Sequence, residues 1–407
     1  MSSPITERPA HVSAGQVVDF DIYHTPDGTQ GFIESWKTLQ APGLPDVLWT
    51  PRNGGHWIAT RGKTITAVWS DYERFSSRHT LVPKIPETEH SMIPTVIDPP
   101  RHAQYRMLLN SGLSPKSVNG LEGYVRELAV SLIEAVRQKG HCNFIDDFSE
   151  ILPIKVFMKI VDLPPGDAPM LKRLADQITR PDGTMTFFEA QHHFDEYMRP
   201  YVRARMGGSG KDLITQIVNG IIDGKPMTME DALLFVSMVA VAGLDTVVNL
   251  LGFVMLFLAT NPKHRRELAA DPKMIPNAVE EMIRRFPLVV VSREVTRDME
   301  FSGAELKAGD MITAPSPLVG LDDRENVRPM ELDFHRAGGT HATFGAGPHK
   351  CAGAYLARKE LQITLEEWLK RIPEFELVKG TTINYKGGLV GTLDRVPLVW
   401  DAKATNG

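Results

Sequence analysis

The sequence predicts a mainly α protein with a minor β portion, on three observations. From Pro100 onward apolar residues recur every three or four positions over long stretches. Ala232 to Ala259, "ALLFVSMVAVAGLDTVVNLLGFVMLFLA", is apolar for far longer than an ordinary strand. Runs with strand character are short and lie mostly in the first hundred residues, between prolines and glycines.

Taken in order, "DVLWT", "HWIAT" and "TAVWS" read as short strands. "RHAQYRMLLNSGL" opens the helical part, and "VNGLEGYVRELAVSLIEAVRQKG" is a helix closing on Gly140. "LPIKVFMKIVDLP", "APMLKRLADQIT" and "FFEAQHHFDEYMRPYVRARM" continue the helical run, and Gly207 to Gly210 make a joint. Thr228 starts the long apolar helix, with Asp231 three residues on in the manner of a capping box. Running to about Ala259, that helix spans about 48 Å at 1.5 Å per residue. "MIPNAVEEMIRRFP" is a helix that Pro287 ends, and Val289 to Pro329 holds short strands and turns. "GAYLARKELQITLEEWLKRI" is an amphipathic helix, and "FELV", "TINY" and "VPLVW" supply strands near the end. With no internal repeat or long linker, residues 1–407 read as one domain, β-rich to about residue 100 and helix-rich beyond.

At 42% hydrophobic and 23% charged residues the composition is that of a globular protein, which excludes a disordered chain. A net charge of −5 without a basic run leaves no footprint for nucleic acid. Cys142 and Cys351, far apart, make no disulfide framework and fit a reducing cytoplasm. The segment "MSSPITERPAHVSAG" has neither a signal-peptide pattern nor an anchor helix. The long apolar helix is long enough to span a membrane, but Asp245 lies at its middle with Asn249 one turn on. An acid at the bilayer centre costs about 2.5–3.5 kcal/mol, so the segment reads as a buried helix.

In "TFGAGPHKCAG", Cys351 follows Gly345 and Gly347 and precedes Gly353, as in a backbone that bends tightly or approaches something closely. A thiolate there could face a bound partner. Phe344, Gly345, Gly347, His349, Cys351 and Gly353 together fit Phe-x-x-Gly-x-(Arg/His)-x-Cys-x-Gly. By this signature the chain resembles the cytochromes P-450. The resemblance implies the P-450 fold, with a long central helix over haem b (iron protoporphyrin IX). Cys351 is then the axial ligand of the iron, an electron-rich thiolate being what dioxygen activation calls for. Phe344 would pack near the porphyrin, and His349 would donate to a propionate.

Other motifs agree. Glu281-x-x-Arg284 matches a helical pair that, with a later arginine, locks the scaffold behind the haem in this family. His102 and Arg106, four apart on one helical face, and Arg293 in "VVVSREV" stand where the family places propionate donors. In "AGLDT" an acid and an alcohol sit side by side in an apolar helix, where burial without partners is costly. The resemblance makes Thr246 the hydrogen-bonding alcohol over the distal haem face and Asp245 the proton-relay acid, with Gly243 tolerating a local widening of the helix.

"GGHWIATRG", "FSS", "IDPP", "TRPDGTMTF", "GLDTVVN", "EFELV" and "VPLVWD" are similar, in this order, to the camphor-hydroxylating bacterial P-450s over nearly the whole chain. This implies a cytoplasmic, monomeric enzyme fed by a [2Fe–2S] ferredoxin that an NADH-dependent flavoprotein reductase reduces. The ferredoxin would dock near Cys351, with Arg106 and Lys350 as basic contacts. Arg180 and Lys172 would hold Asp245. Leu81, Met92, Thr179, Met238 and Val241 would line the substrate pocket with Ala242, Val289, Leu389 and Val390.

The departures fall around that pocket. His90 stands where those enzymes orient a ketone with a tyrosine hydroxyl; it contacts substrate, ligates the haem or faces solvent. Leu81 replaces a phenylalanine and Met238 a leucine, so the cavity differs in shape. Arg78 replaces a carboxylate of a cation site, and no structural metal is expected there; Val291 replaces an acid near a propionate. The expected activity is monooxygenation of a compact hydrophobic terpenoid or norisoprenoid ketone. A peroxide-driven oxygenase and a haem-binding sensor without turnover are the alternatives, and neither gives a reason for Asp245–Thr246.

Overall fold

The structure, a computed structural model, describes residues 5–24, 31–84 and 92–403. Five strands form the main sheet: β1 (Val47–Thr50), β2 (His56–Ala59), β3 (Phe75–Ser76), β4 (Val290–Val295) and β5 (Met311–Pro315). They are ordered β1-β2-β5-β4-β3, with β5 parallel to β2 and the other pairs antiparallel. The sheet is therefore shared between distant parts of the chain rather than being an N-terminal unit, and it carries Arg293 on β4, opposite Ile312. A smaller sheet joins Glu376–Leu377, Pro397–Val399 and His141–Asn143.

The principal helices are α1 (Gly62–Ser70), α2 (Arg101–Gly112), α3 (Glu122–Arg137), α4 (Leu152–Val161), α5 (Ala168–Thr179), α6 (Phe187–Arg205), α7 (Met229–Thr260), α8 (Ile275–Arg285) and α9 (Ala354–Arg371). Most fall where the apolar spacing puts them. The exception is "TAVWS", which ends α1 instead of forming a strand. Ile65, Val68 and Trp69 recur at helical spacing and all three are buried, so the period of 3.6 outweighs β propensity.

Thr228 Oγ1 accepts from the Asp231 N–H at 3.1 Å, which is the threonine half of the predicted box. A reciprocal box opens α6: Thr186 Oγ1 accepts from Glu189 N–H (3.2 Å), and the Glu189 carboxylate accepts from Thr186 N–H (2.8 Å). The 32 residues of α7 run through the interior, packed by α4, α5 and α6. Most of the helix's apolar core is buried in protein, so its hydrophobicity answers to the interior rather than to lipid. Helix α9 packs on α3 and α8, with Trp368 set edge-on among Phe144, Phe148, Phe375 and Trp400.

Candidate active site

The cysteine loop is closed by its own backbone: Cys351 N–H donates to Phe344 O at 2.7 Å. Gly345 (φ +73°) and Gly347 (φ +66°) take the left-handed conformation that side chains resist. At Gly347 a Cβ would also lie 2.7 Å from Trp69 O and Ser70 Cα, so the glycine lets the loop abut the end of α1. Gly353 is different. Its φ is −82° and a Cβ would meet Cys351 Sγ at an ordinary 3.8 Å, so neither its conformation nor a described protein neighbour requires a glycine there. Burial raises the Cys351 pKa. The Gly353 N–H, the Arg106 and Arg358 charges and the Ala354 N–H all favour the thiolate against it. Phe344 is covered by the Arg358 guanidinium, 4.6 Å from the ring centroid.

Cys351 opens onto a cavity of about 400 Å³. Arg106 from α2, Arg293 from β4 and His349 from the loop line it, and His102 lies against His349 with ring centroids 4.0 Å apart. His349 Nε2 pairs with Ser77 Oγ at 3.0 Å, and Arg106 donates to Lys350 O at 2.7 Å. Buried His102 Nε2 has no hydrogen-bond partner among the described residues. Burial, then the neighbouring cations, push His349 down to about 2 and His102 to about 4, while burial brings Arg293 to about 10. At neutral pH two neutral imidazoles thus stand beside two charged guanidiniums. Asp98, the acid whose charge reaches them, is taken up by Ser76 Oγ and Ser77 N–H. Donors and cations crowded together around an orphaned ring nitrogen complement two propionate carboxylates, and with Cys351 on the same cavity they fit haem.

Behind the loop, Glu281 and Arg284 are both buried and form a bidentate pair (2.7 and 2.8 Å). Arg284 also donates to the carbonyls of Gly320, Pro329 and Glu331, and Arg336 joins the same carboxylate at 3.0 Å. The pair fastens α8 to the chain leading into the cysteine loop. Arg336 is the later arginine that the motif implied without a position.

On α7, Thr246 Oγ1 donates to Ala242 O at 3.1 Å. The helix is continuous here, and at Gly243 a Cβ would fall 2.4 Å from the Phe157 ring, so the glycine lets α4 pack against α7. Asp245 is fully buried and accepts from Arg180 (2.6 and 2.7 Å), Lys172 (3.3 Å) and Asn249 (2.9 Å). Burial alone would raise its pKa, but Arg180 and then Lys172 hold it well below the usual carboxylate value. Arg180 also binds Asp176 (2.5 Å) and donates to Val390 O (3.2 Å).

Leu81, Met92, Thr179 and Met238 line the cavity, as do Val241, Ala242, Val289, Leu389 and Val390. His90 lies outside the described residues. Sequence reasoning gave no site role to Asn249, although its spacing of four from Asp245 was a usable signal. It also missed Ser77 and Glu360. Glu360, on α9, borders the cavity, and burial pushes its carboxyl up to about 8; in the sequence it looks like any exposed helical acid. A second hollow of about 410 Å³, edged by Asn143, Lys379 and Arg395, is open and polar and holds none of these residues.

Comparison with known proteins agrees with this arrangement. The sequence model of the family Cytochrome P450 matches residues 142–386. A probable cytochrome P450 127A1 from Sinorhizobium fredii is 31% identical over 88% of this chain and 87% of its own. The steroid C26-monooxygenase of Mycobacterium tuberculosis is 28% identical over 75% of this chain and 84% of its own. The crystal structure of CYP101J2 superposes with a TM-score of 0.90 at 45% identity, and that of CYP101C1 with 0.89 at 39%, each over 97% of this chain and 100% of the other. A haem-shaped set of donors around Cys351, this fold and these relatives place the chain in the cytochrome P450 family, as a bacterial haem b monooxygenase close to the CYP101 group.

Proposed function

We propose that this P450 hydroxylates a compact, mostly hydrocarbon ketone of terpenoid or norisoprenoid type, as a monomeric cytoplasmic domain. Its electrons come from a [2Fe–2S] ferredoxin kept reduced by an NADH-dependent flavoprotein. The observation that carries the reading is the fully buried Asp245 beside Thr246 on the cavity wall, an acid and an alcohol that a storage or sensing protein has no use for.

Cys351 would ligate the haem iron, and Arg106, Arg293, His102 and His349 would hold its propionates. When bound, the haem supplies dioxygen activation. The chain supplies position and protons. The Thr246 hydroxyl, now given to Ala242 O, turns to donate into the cavity. Asp245 is ionised under the grip of Arg180 and Lys172, so taking up a proton for transfer toward Thr246 requires that grip to loosen. The apolar walls at Leu81, Met238, Val241 and Val289 exclude water and leave shape as the main selector. His90 is the candidate contact for the ketone oxygen, and exposed Lys350, on the loop that carries Cys351, is a contact for the ferredoxin.

The test is a reduced, carbon-monoxide difference spectrum followed by titration of the ferric enzyme with terpenoid ketones. A strongly red-shifted Soret band and a high-spin shift with a compact ketone are the expected results. A band typical of histidine-ligated haem, with no ketone response, overturns the monooxygenase assignment of this site.

A further inference from the structure

Among the buried polar atoms without a partner in the described residues, one borders the haem cavity in a way no motif announces: Nε1 of Trp69. Trp69 lies at the end of α1, is 4% exposed, and lines the cavity together with Arg106, Arg293 and His349. Its place is fixed from behind, because Gly347 of the cysteine loop packs directly on the Trp69 and Ser70 backbone. An indole nitrogen donates and cannot accept, and leaving it unpaired in the interior is unfavourable. Trp368 Nε1 is also unpaired, but it sits in an aromatic cluster away from the cavity, with no charged group to complement.

Arg106, Arg293 and the Trp69 N–H can only donate, and the imidazoles of His102 and His349 each carry an N–H as well. No described residue accepts from the Trp69 N–H. We infer that Trp69 is a haem-binding residue, its indole N–H donating to a propionate carboxylate. The inference rests on the reading that Arg106, Arg293, His102 and His349 hold the propionates, and it adds a neutral donor from a helix that carries none of them.

The test compares the holoenzymes of Trp69→Phe, which keeps an aromatic ring without a donor, and Trp69→Tyr, which returns one. Haem loss is followed by transfer to apomyoglobin, and the propionate bending mode by resonance Raman. Trp69→Phe should lose haem about three- to tenfold faster and shift the propionate mode, with the thiolate Soret band unmoved, and Trp69→Tyr should recover most of both. A Trp69→Phe protein recovered without haem, while Trp69→Tyr retains it, is the same result at its extreme. Haem loss and propionate mode unchanged in Trp69→Phe overturn the inference. So does equal loss in both variants, which would mean that only indole volume matters. Arg293→Gln separates the layers: faster loss there with an unaffected Trp69→Phe removes Trp69 alone, whereas no effect of Arg293→Gln removes the propionate assignment itself.

Discussion

Two buried charged clusters border the same cavity, and they are built on opposite plans. Around Asp245 the charges are answered from within the chain: Arg180 is bidentate, Lys172 and Asn249 complete the carboxylate, and Asp176 and the Val390 carbonyl take further guanidinium donors. Around His349 two guanidinium cations stand beside two rings held neutral by burial and by those cations, and the partner the cations lack is an anion. A closed cluster fixes the ionisation state of one acid. An open cluster is completed by a ligand's charge, so its cost in the free protein is recovered as cofactor affinity.

The hardest blow to that contrast is Asp245→Asn. Product formation should fall about 10²–10³-fold while haem content and the carbon-monoxide band stay intact, because the closed cluster serves proton supply and not haem binding; steady-state turnover with a saturating ferredoxin system checks it. Arg106→Gln strikes the open cluster, and haem dissociation should quicken about tenfold, read by transfer to apomyoglobin. Gly347→Ala tests the frame between them. A side chain at φ +66° pressed against Ser70 should cost about 2 kcal/mol or more, seen as a lower melting temperature of the holoenzyme.

The smallest effect distinguishes a paired acid from an unpaired one by its pH dependence. Asp245, depressed in the folded state, lends stability above its unfolded pKa and loses it only in strong acid. Glu360, raised to about 8, does the reverse: the folded state keeps a proton the unfolded chain releases, so stability declines as pH rises from about 4.5 to about 8. Glu360→Gln should flatten that decline and raise the melting temperature at pH 8, relative to wild type, by a few degrees. An unchanged slope would mean that Glu360 finds a partner.

What the sequence disclosed and what it withheld divide along the same line. Cys351 and His349 are legible because their motif requires a residue type at a fixed spacing, Arg293 through the family resemblance alone, α9 through its apolar period and α7 as one long apolar run. "TAVWS" reads as a strand because Thr66, Val68 and Trp69 are β-prone, although Ile65, Val68 and Trp69 keep helical spacing. That Gly243 lies against Phe157, 86 positions away by number, is a tertiary fact that no local pattern discloses. Glu360, Asn249 and Trp69 are ordinary in sequence; burial beside the cavity is what makes them matter, and burial is decided by the whole fold.

Arg180 holds Asp245 with one side of its guanidinium and the carbonyl of Val390, a pocket residue, with another. Substrate shape and proton delivery thus share a single fastening. For the evolution of new substrates this is a trade-off: a change at Val390 that displaces its main-chain carbonyl also disturbs the strap that steadies the acid, so such variants should begin as wasteful catalysts, spending reductant without product, until a compensating change restores the fastening.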